Sequence, residues 1–154
     1  MKLSKKEILE YQQNKPPYLM IDFAENVIPG KSANGYKDLK EDEWFFKVHW
    51  QNDPNMPGML QIEALVQMAA LAIVTLPGNK GKVIYLTKAN NLEFKKKIVI
   101  GNRLNIETKI ISWKRGLGLC SGIGKVKGEI ACKADFNIVD PVELKKFGIQ
   151  GQDN

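Results

Sequence analysis

From Pro57 to Leu76 the chain is apolar on nearly every side, with Met59, Leu60, Ile62, Ala64, Leu65, Val66, Met68, Ala69, Ala70, Leu71, Ala72, Ile73 and Val74 leaving few positions to face water. That pattern predicts one long helix buried on most sides, not one laid along a surface. Proline suits the first helical position, whose N–H has no intrahelical partner, and Pro77-Gly78 stops the run. Upstream, Ser4-Lys5-Lys6-Glu7 fits a capping box that starts a short amphipathic helix to about Asn14, ended by Pro16-Pro17. Tyr18 to Ile28 reads as a strand, Pro29-Gly30 as a turn, and Ser32 to Leu39 as a weaker strand. Trp44-Phe45-Phe46 is an aromatic cluster expected to pack against the core.

After the long helix the text changes. Val83 to Phe94, Arg103 to Lys114, Leu117 to Val126 and Glu129 to Val139 read as strands, with turns at Gly101-Asn102, Arg115-Gly116 and Lys127-Gly128. Consecutive strands joined by tight turns make an antiparallel sheet. A buried helix beside such a sheet is an α+β architecture in which the sheet wraps the helix. A single domain over residues 1–154 is expected, with a helix in residues 1–15 and a loose polar tail over 140–154.

Hydrophobic residues at 44% and charged residues at 26% match a globular protein and argue against global disorder. The net charge of +6 is unevenly placed. Residues 1–77 hold eight basic against ten acidic side chains, residues 78–154 fifteen against seven. The basic half suits an acidic partner, but no aromatic-basic repeat supports nucleic acid. The charged start lacks an apolar segment, no run is long enough to span a bilayer, and there are only two cysteines. A reduced cytoplasmic setting is therefore expected.

The chemistry concentrates between His49, the only histidine, and Gln67. His49 stands before a loop, Asp53-Pro54-Asn55, that leads to the start of the long helix. That start presents free N–H groups and the positive end of the helix dipole. Gly58 allows close approach to the backbone, so its N–H is a candidate donor to a carbonyl oxygen gaining negative charge. Glu63 lies further along, and Gln67, four residues on, shares its face. A carboxyl group in apolar surroundings holds its proton to higher pH. A histidine with such an acid suits removal of a proton beside a carbonyl, followed by loss of hydroxide. Each residue alone fits a structural role; together, at these spacings, they favour function.

One histidine and two separated cysteines make no metal-ligand cluster. Cys120 and Cys132 lie in strands, where they behave as small hydrophobes. No phosphate-binding glycine loop is present, and glycines 116, 118, 122 and 124 fit close backbone packing.

Phe45-Phe46-x-x-His49-Trp50, Asp53-Pro54-x-Met56-Pro57-Gly58-x-Leu60 and Glu63-Ala64-x-x-Gln67 resemble the 3-hydroxyacyl-[acyl-carrier-protein] dehydratases, hot-dog-fold enzymes of fatty acid synthesis. The likeness extends through Pro17-Tyr18-Leu19-Met20-Ile21-Asp22, Phe94-Lys95-Lys96 and Arg115-Gly116-Leu117, spanning roughly residues 16–139. The resemblance implies that His49 removes a proton from C2 of the substrate and that Glu63 helps the C3 hydroxyl leave as water. It further implies that Gly58 holds the thioester carbonyl, that the Asn55 carbonyl orients the histidine, that Gln67 steadies the acid, and that Met56 and Pro57 border the substrate. No cofactor or metal is implied. The implied partners are acyl carrier protein and a second copy, in a homodimer or a trimer of dimers whose base and acid come from opposite subunits. Trp50-Gln51 replaces the family's usual Phe-Pro, and Asn52-Asp53 its Gly-His. Asp53-Pro54 looks like the dehydratase–isomerase branch, yet Glu63 is the acid of the dehydratase-only branch. The alternatives are a thioesterase on the same fold and a non-catalytic acyl-carrier-binding homologue.

Overall fold

The computed structural model describes residues 1–147. Helix α1 (Lys5–Tyr11) precedes β1 (Phe23–Ile28), β2 (Ser32–Asp38), the short α2 (Trp44–Val48) and the long α3 (Gly58–Val74). Four strands follow, β3 (Tyr85–Phe94), β4 (Arg103–Lys114), β5 (Leu117–Val126) and β6 (Glu129–Val139), and then α4 (Pro141–Lys146). The six strands form one antiparallel sheet in the order β1-β2-β4-β5-β6-β3. Helix α3 packs against β1, β2, β4, β5 and β6, so the sheet curls around it as the sequence predicts.

Ile62, Leu65, Met68, Leu71 and Ile73 of α3 are almost completely buried. Each such side chain contributes about 1.5–3 kcal/mol through removal from water. The helix comes close to the sheet because β5 carries a glycine against it: a Cβ on Gly122 would stand 3.1 Å from Leu65 Cβ. Cys120 and Cys132 are buried in this layer, which pushes their thiols up to about 12 and about 11 and keeps them unreactive.

The capping box forms as expected, with Ser4 Oγ accepting from the Glu7 N–H and the Glu7 carboxylate from the Ser4 N–H at 2.7 Å. Three expectations need correction. The strand expected over Tyr18–Ile28 pairs only from Phe23, because residues 18–22 leave the ladder to bury Leu19, Met20 and Ile21, and Met20 gives its N–H to a side chain of α3. Of the cluster Trp44-Phe45-Phe46, Phe45 and Phe46 pack in the core as expected, whereas Trp44, which starts α2, stays 40% exposed. The tail is not loose from Asp140: its buried carboxylate accepts from the N–H groups of Val142 and Glu143, caps α4 and pairs with Lys82 at 2.8 Å. Residues 148–154 of the expected tail lie outside the described residues.

Strand β3 is one edge of the sheet, and none of its residues is buried. Tyr85, Leu86 and Phe94 present large apolar surface along it. Among the described residues no helix is long and apolar enough to cross a membrane.

Candidate active site

His49 ends α2, where its backbone N–H bonds the Phe45 carbonyl at 3.1 Å. The chain then turns sharply: Asp53 donates its N–H to the Trp50 carbonyl at 2.9 Å, and Trp50 adopts a φ of +44°. A bulky residue in this left-handed region is costly and persists where its surroundings hold it. The Trp50 indole lies nearly parallel to the His49 imidazole, with centroids 4.8 Å apart and planes 20° from each other.

The imidazole is oriented from its other side. His49 Nδ1 lies 3.0 Å from the carbonyl oxygen of Asn55. A carbonyl only accepts, so in the neutral imidazole Nδ1 carries the proton and Nε2 the lone pair. Asn55 is itself braced, its amide donating to the Asp53 carbonyl at 2.7 Å. Met56 is fully buried and donates its N–H to the Ile98 carbonyl at 2.8 Å.

Pro57 caps α3 and Gly58 is its first residue. The Gly58 N–H therefore has no intrahelical partner and sits at the positive end of the helix. A Cβ at Gly58 would lie 2.9 Å from the Phe94 ring, so glycine keeps this approach open. His49, Asn55, Met56 and Gly58 open together onto one cavity of about 400 Å³, which Trp50, Phe94 and the run Lys95–Lys97 also line. Lys97 pairs with Asp53 at 2.7 Å.

Glu63 and Gln67 are not among the residues of that cavity. Five residues at 3.6 per turn set Glu63 about 140° around the helix from Gly58, whereas Gln67 returns to the same side as Glu63. There Gln67 Nε2 donates to Glu63 Oε1 and to the Tyr18 carbonyl, both at 3.0 Å, while Gln67 Oε1 accepts the Met20 N–H at 2.7 Å. Burial pushes the Glu63 carboxyl above the usual carboxylate range, opposed in part by the Gln67 bond. The Tyr18 phenol is pushed up by its burial and then by the charge of Glu63. One protomer thus carries the His49 imidazole, held by a backbone carbonyl, and the free Gly58 N–H on one side of α3, and on another side a carboxyl whose pKa burial raises.

The sequence singled out every one of these positions except the backbone clamp of Tyr18 and Met20, which only folding brings to Gln67, and Gln61. Gln61 is a buried amide on the apolar helix that also lines the His49 cavity. Its signal was present: it is a polar residue within an apolar run, as Glu63 is.

The profile of the FabA-like domain matches residues 13–135. The 3-hydroxyacyl-[acyl-carrier-protein] dehydratase FabZ of Clostridium novyi (strain NT) is 39% identical over 136 residues, covering 88% of this chain and 96% of that protein. The protein of the same name from Bacillus subtilis (strain 168) is 34% identical over 134 residues, covering 87% and 95%. Among solved structures, the dehydratase heterocomplex ApeI:P from Xenorhabdus doucetiae superposes with a TM-score of 0.75 over 93% of this chain and 97% of that one. At 14% identity this last likeness speaks for the hot-dog fold alone.

Proposed function

The chain belongs to the FabA-like domain family, and on that premise we propose that it removes water from a 3-hydroxyacyl thioester on acyl carrier protein, giving the trans-2-enoyl thioester in fatty acid synthesis. The observation that carries this reading is the sole histidine, turned by the Asn55 carbonyl so that Nε2 is its free base, on the same cavity as the Gly58 N–H.

The thioester carbonyl oxygen accepts from the Gly58 N–H, which stabilises negative charge as it develops there. His49 Nε2 takes the proton from C2. The electrons of that C–H bond form the C2–C3 double bond as the C3–O bond breaks. The hydroxyl leaves with the proton of Glu63, as water. His49 and Glu63 then exchange protons with solvent to restore the starting forms. Glu63 faces away from the cavity of its own protomer, so the acid that serves His49 is Glu63 of the partner subunit. The unpaired edge of β3, with Tyr85, Leu86 and Phe94 exposed, supports a homodimer in which a second copy continues the sheet. Lys95, Lys96 and Lys97 at the cavity mouth suit an acidic carrier, and the enzyme's setting is the cytoplasm. No cofactor enters these steps.

The test is incubation with 3-hydroxyacyl carrier protein and detection of the enoyl product by loss of one water in the mass spectrum. Turnover by the wild type, abolished by His49→Ala, is the expected result. Turnover that survives His49→Ala, or release of free acid instead of enoyl thioester, overturns the reading.

A further inference from the structure

Gln61 lies one turn along α3 from Gly58 and is 4% exposed. Its Nε2 donates to the Met56 carbonyl at 2.9 Å. Its Oε1 is buried without a hydrogen-bond partner among the described residues. The assignment of the two amide atoms follows from the carbonyl, which requires a donor.

Two consecutive peptide units link this side chain to the base. The Asn55–Met56 unit is held at both ends, its carbonyl by His49 Nδ1 and its N–H by the Ile98 carbonyl. The next unit, Met56–Pro57, has no N–H, because its nitrogen belongs to proline. Its carbonyl is the only handle by which it can be fixed, and Gln61 holds that handle. The two units meet at the Met56 Cα, so a turn of this one loads the two bonds that hold the Asn55 carbonyl on the imidazole.

We propose that Gln61 is a positioning residue: by pinning the Met56 carbonyl it keeps the Asn55 carbonyl on His49 Nδ1, and so keeps His49 Nε2 the basic nitrogen facing substrate. The proposal rests on the reading of His49 as the base. Stability alone gives no account of Gln61. An apolar side chain of the same length would leave the Met56 carbonyl unpaired but remove the unpaired Oε1, exchanging one orphaned acceptor for another. The amide therefore brings the core one hydrogen bond together with one buried unpaired acceptor, a small net balance, and what it adds beyond that is a fixed orientation of the Met56 carbonyl.

His49 is the only histidine, so the imidazole ¹⁵N spectrum of histidine-labelled protein reports on this ring alone. Gln61→Met removes the donor at nearly equal length. Gln61→Asn keeps an amide but is one methylene too short to reach the Met56 carbonyl. In the wild type, neutral His49 shows a protonated Nδ1 and a free Nε2. In both variants the expected result is a mixture of the two tautomers, a kcat lower on the order of 10- to 100-fold and a KM within about twofold. Tm is expected to move by about 4 °C or less, as the balanced acceptors imply. If both variants keep the Nδ1–H tautomer, the proposal is overturned whatever the rates. If the tautomer shifts but kcat holds, Gln61 does not position the catalytic state and the proposal is likewise overturned. His49→Ala is run alongside: turnover that persists in it removes the base reading itself, while the spectra still decide whether Gln61 orients the ring.

Discussion

Gln67 spends its whole amide on three partners, giving both of its N–H groups to the Tyr18 carbonyl and to Glu63, and accepting the Met20 N–H. Glu63 is thereby tied to a segment of backbone that lies 43 to 45 residues before it. Gln67→Leu leaves the buried Met20 N–H unpaired and takes the donor from the part-buried Tyr18 carbonyl. The expected cost is about 1–3 kcal/mol for the Met20 N–H, read from urea unfolding. Loss of the bond that opposes the burial effect also raises the Glu63 pKa further, so the alkaline limb of activity moves to higher pH.

Glu63 gives the stability curve a definite sign. Its folded pKa stands above its unfolded value because burial disfavours the charge. The folded state therefore holds the proton over a window in which the unfolded state has lost it. Stability from this group is greatest below the usual carboxylate pKa and falls as pH rises toward the raised one. Glu63→Gln removes that loss. The variant is expected to be inactive yet to melt above the wild type at pH 8, with the difference gone near pH 4. A difference that grows toward acid refutes the assignment.

The proposed placement of base and acid on different subunits predicts complementation. Mixing equal amounts of inactive His49→Ala and inactive Glu63→Gln protomers, then allowing exchange, makes half the dimers mixed. Each mixed dimer has one site with both native groups, so activity is expected to return to about one quarter of wild type. No recovery after exchange, verified by mass-tagged protomers, places both groups in one chain.

Gly58 is expected to tolerate a methyl group structurally but not catalytically. The added Cβ meets the Phe94 ring, which is half-exposed and free to tilt. Gly58→Ala is expected to leave Tm near wild type while kcat/KM falls about tenfold, since the displaced ring narrows the place of the thioester.

Lys95, Lys96 and Lys97 predict a salt effect that depends on how the acyl group is carried. The KM for carrier-protein thioesters is expected to rise between low and high ionic strength, whereas that for a short uncharged thioester stays flat. Equal salt dependence for both substrates removes the carrier from this face.

How much of this was legible beforehand depended on range. The long helix and strands β4, β5 and β6 were legible because periodicity and turn glycines are local signals. His49, Gly58 and Glu63 were legible because they combine reactive chemistry with fixed spacing around a helix start. The Tyr18–Ile28 segment misled because its apolar residues serve α3 directly, without a neighbouring strand. The Gln67 clamp and the hold of Gln61 on Met56 were not legible, since each depends on a backbone group whose partner only the fold selects. The cap at Asp140 has a local signal, aspartate before a proline at the first helical position, which the polar text of the tail hides.

The bare Cα of Gly122 against Leu65 works as a spacer of adjustable thickness. Helix α3 rests on it, and Glu63 and Gln67 ride on that helix. An alanine there lifts the helix by the few tenths of an ångström that a 3.1 Å contact demands, and it carries the acid along. A lineage can thus shift Glu63 through a strand that lines no part of the His49 cavity, and mutational tolerance along β5 becomes a record of how finely that distance is held.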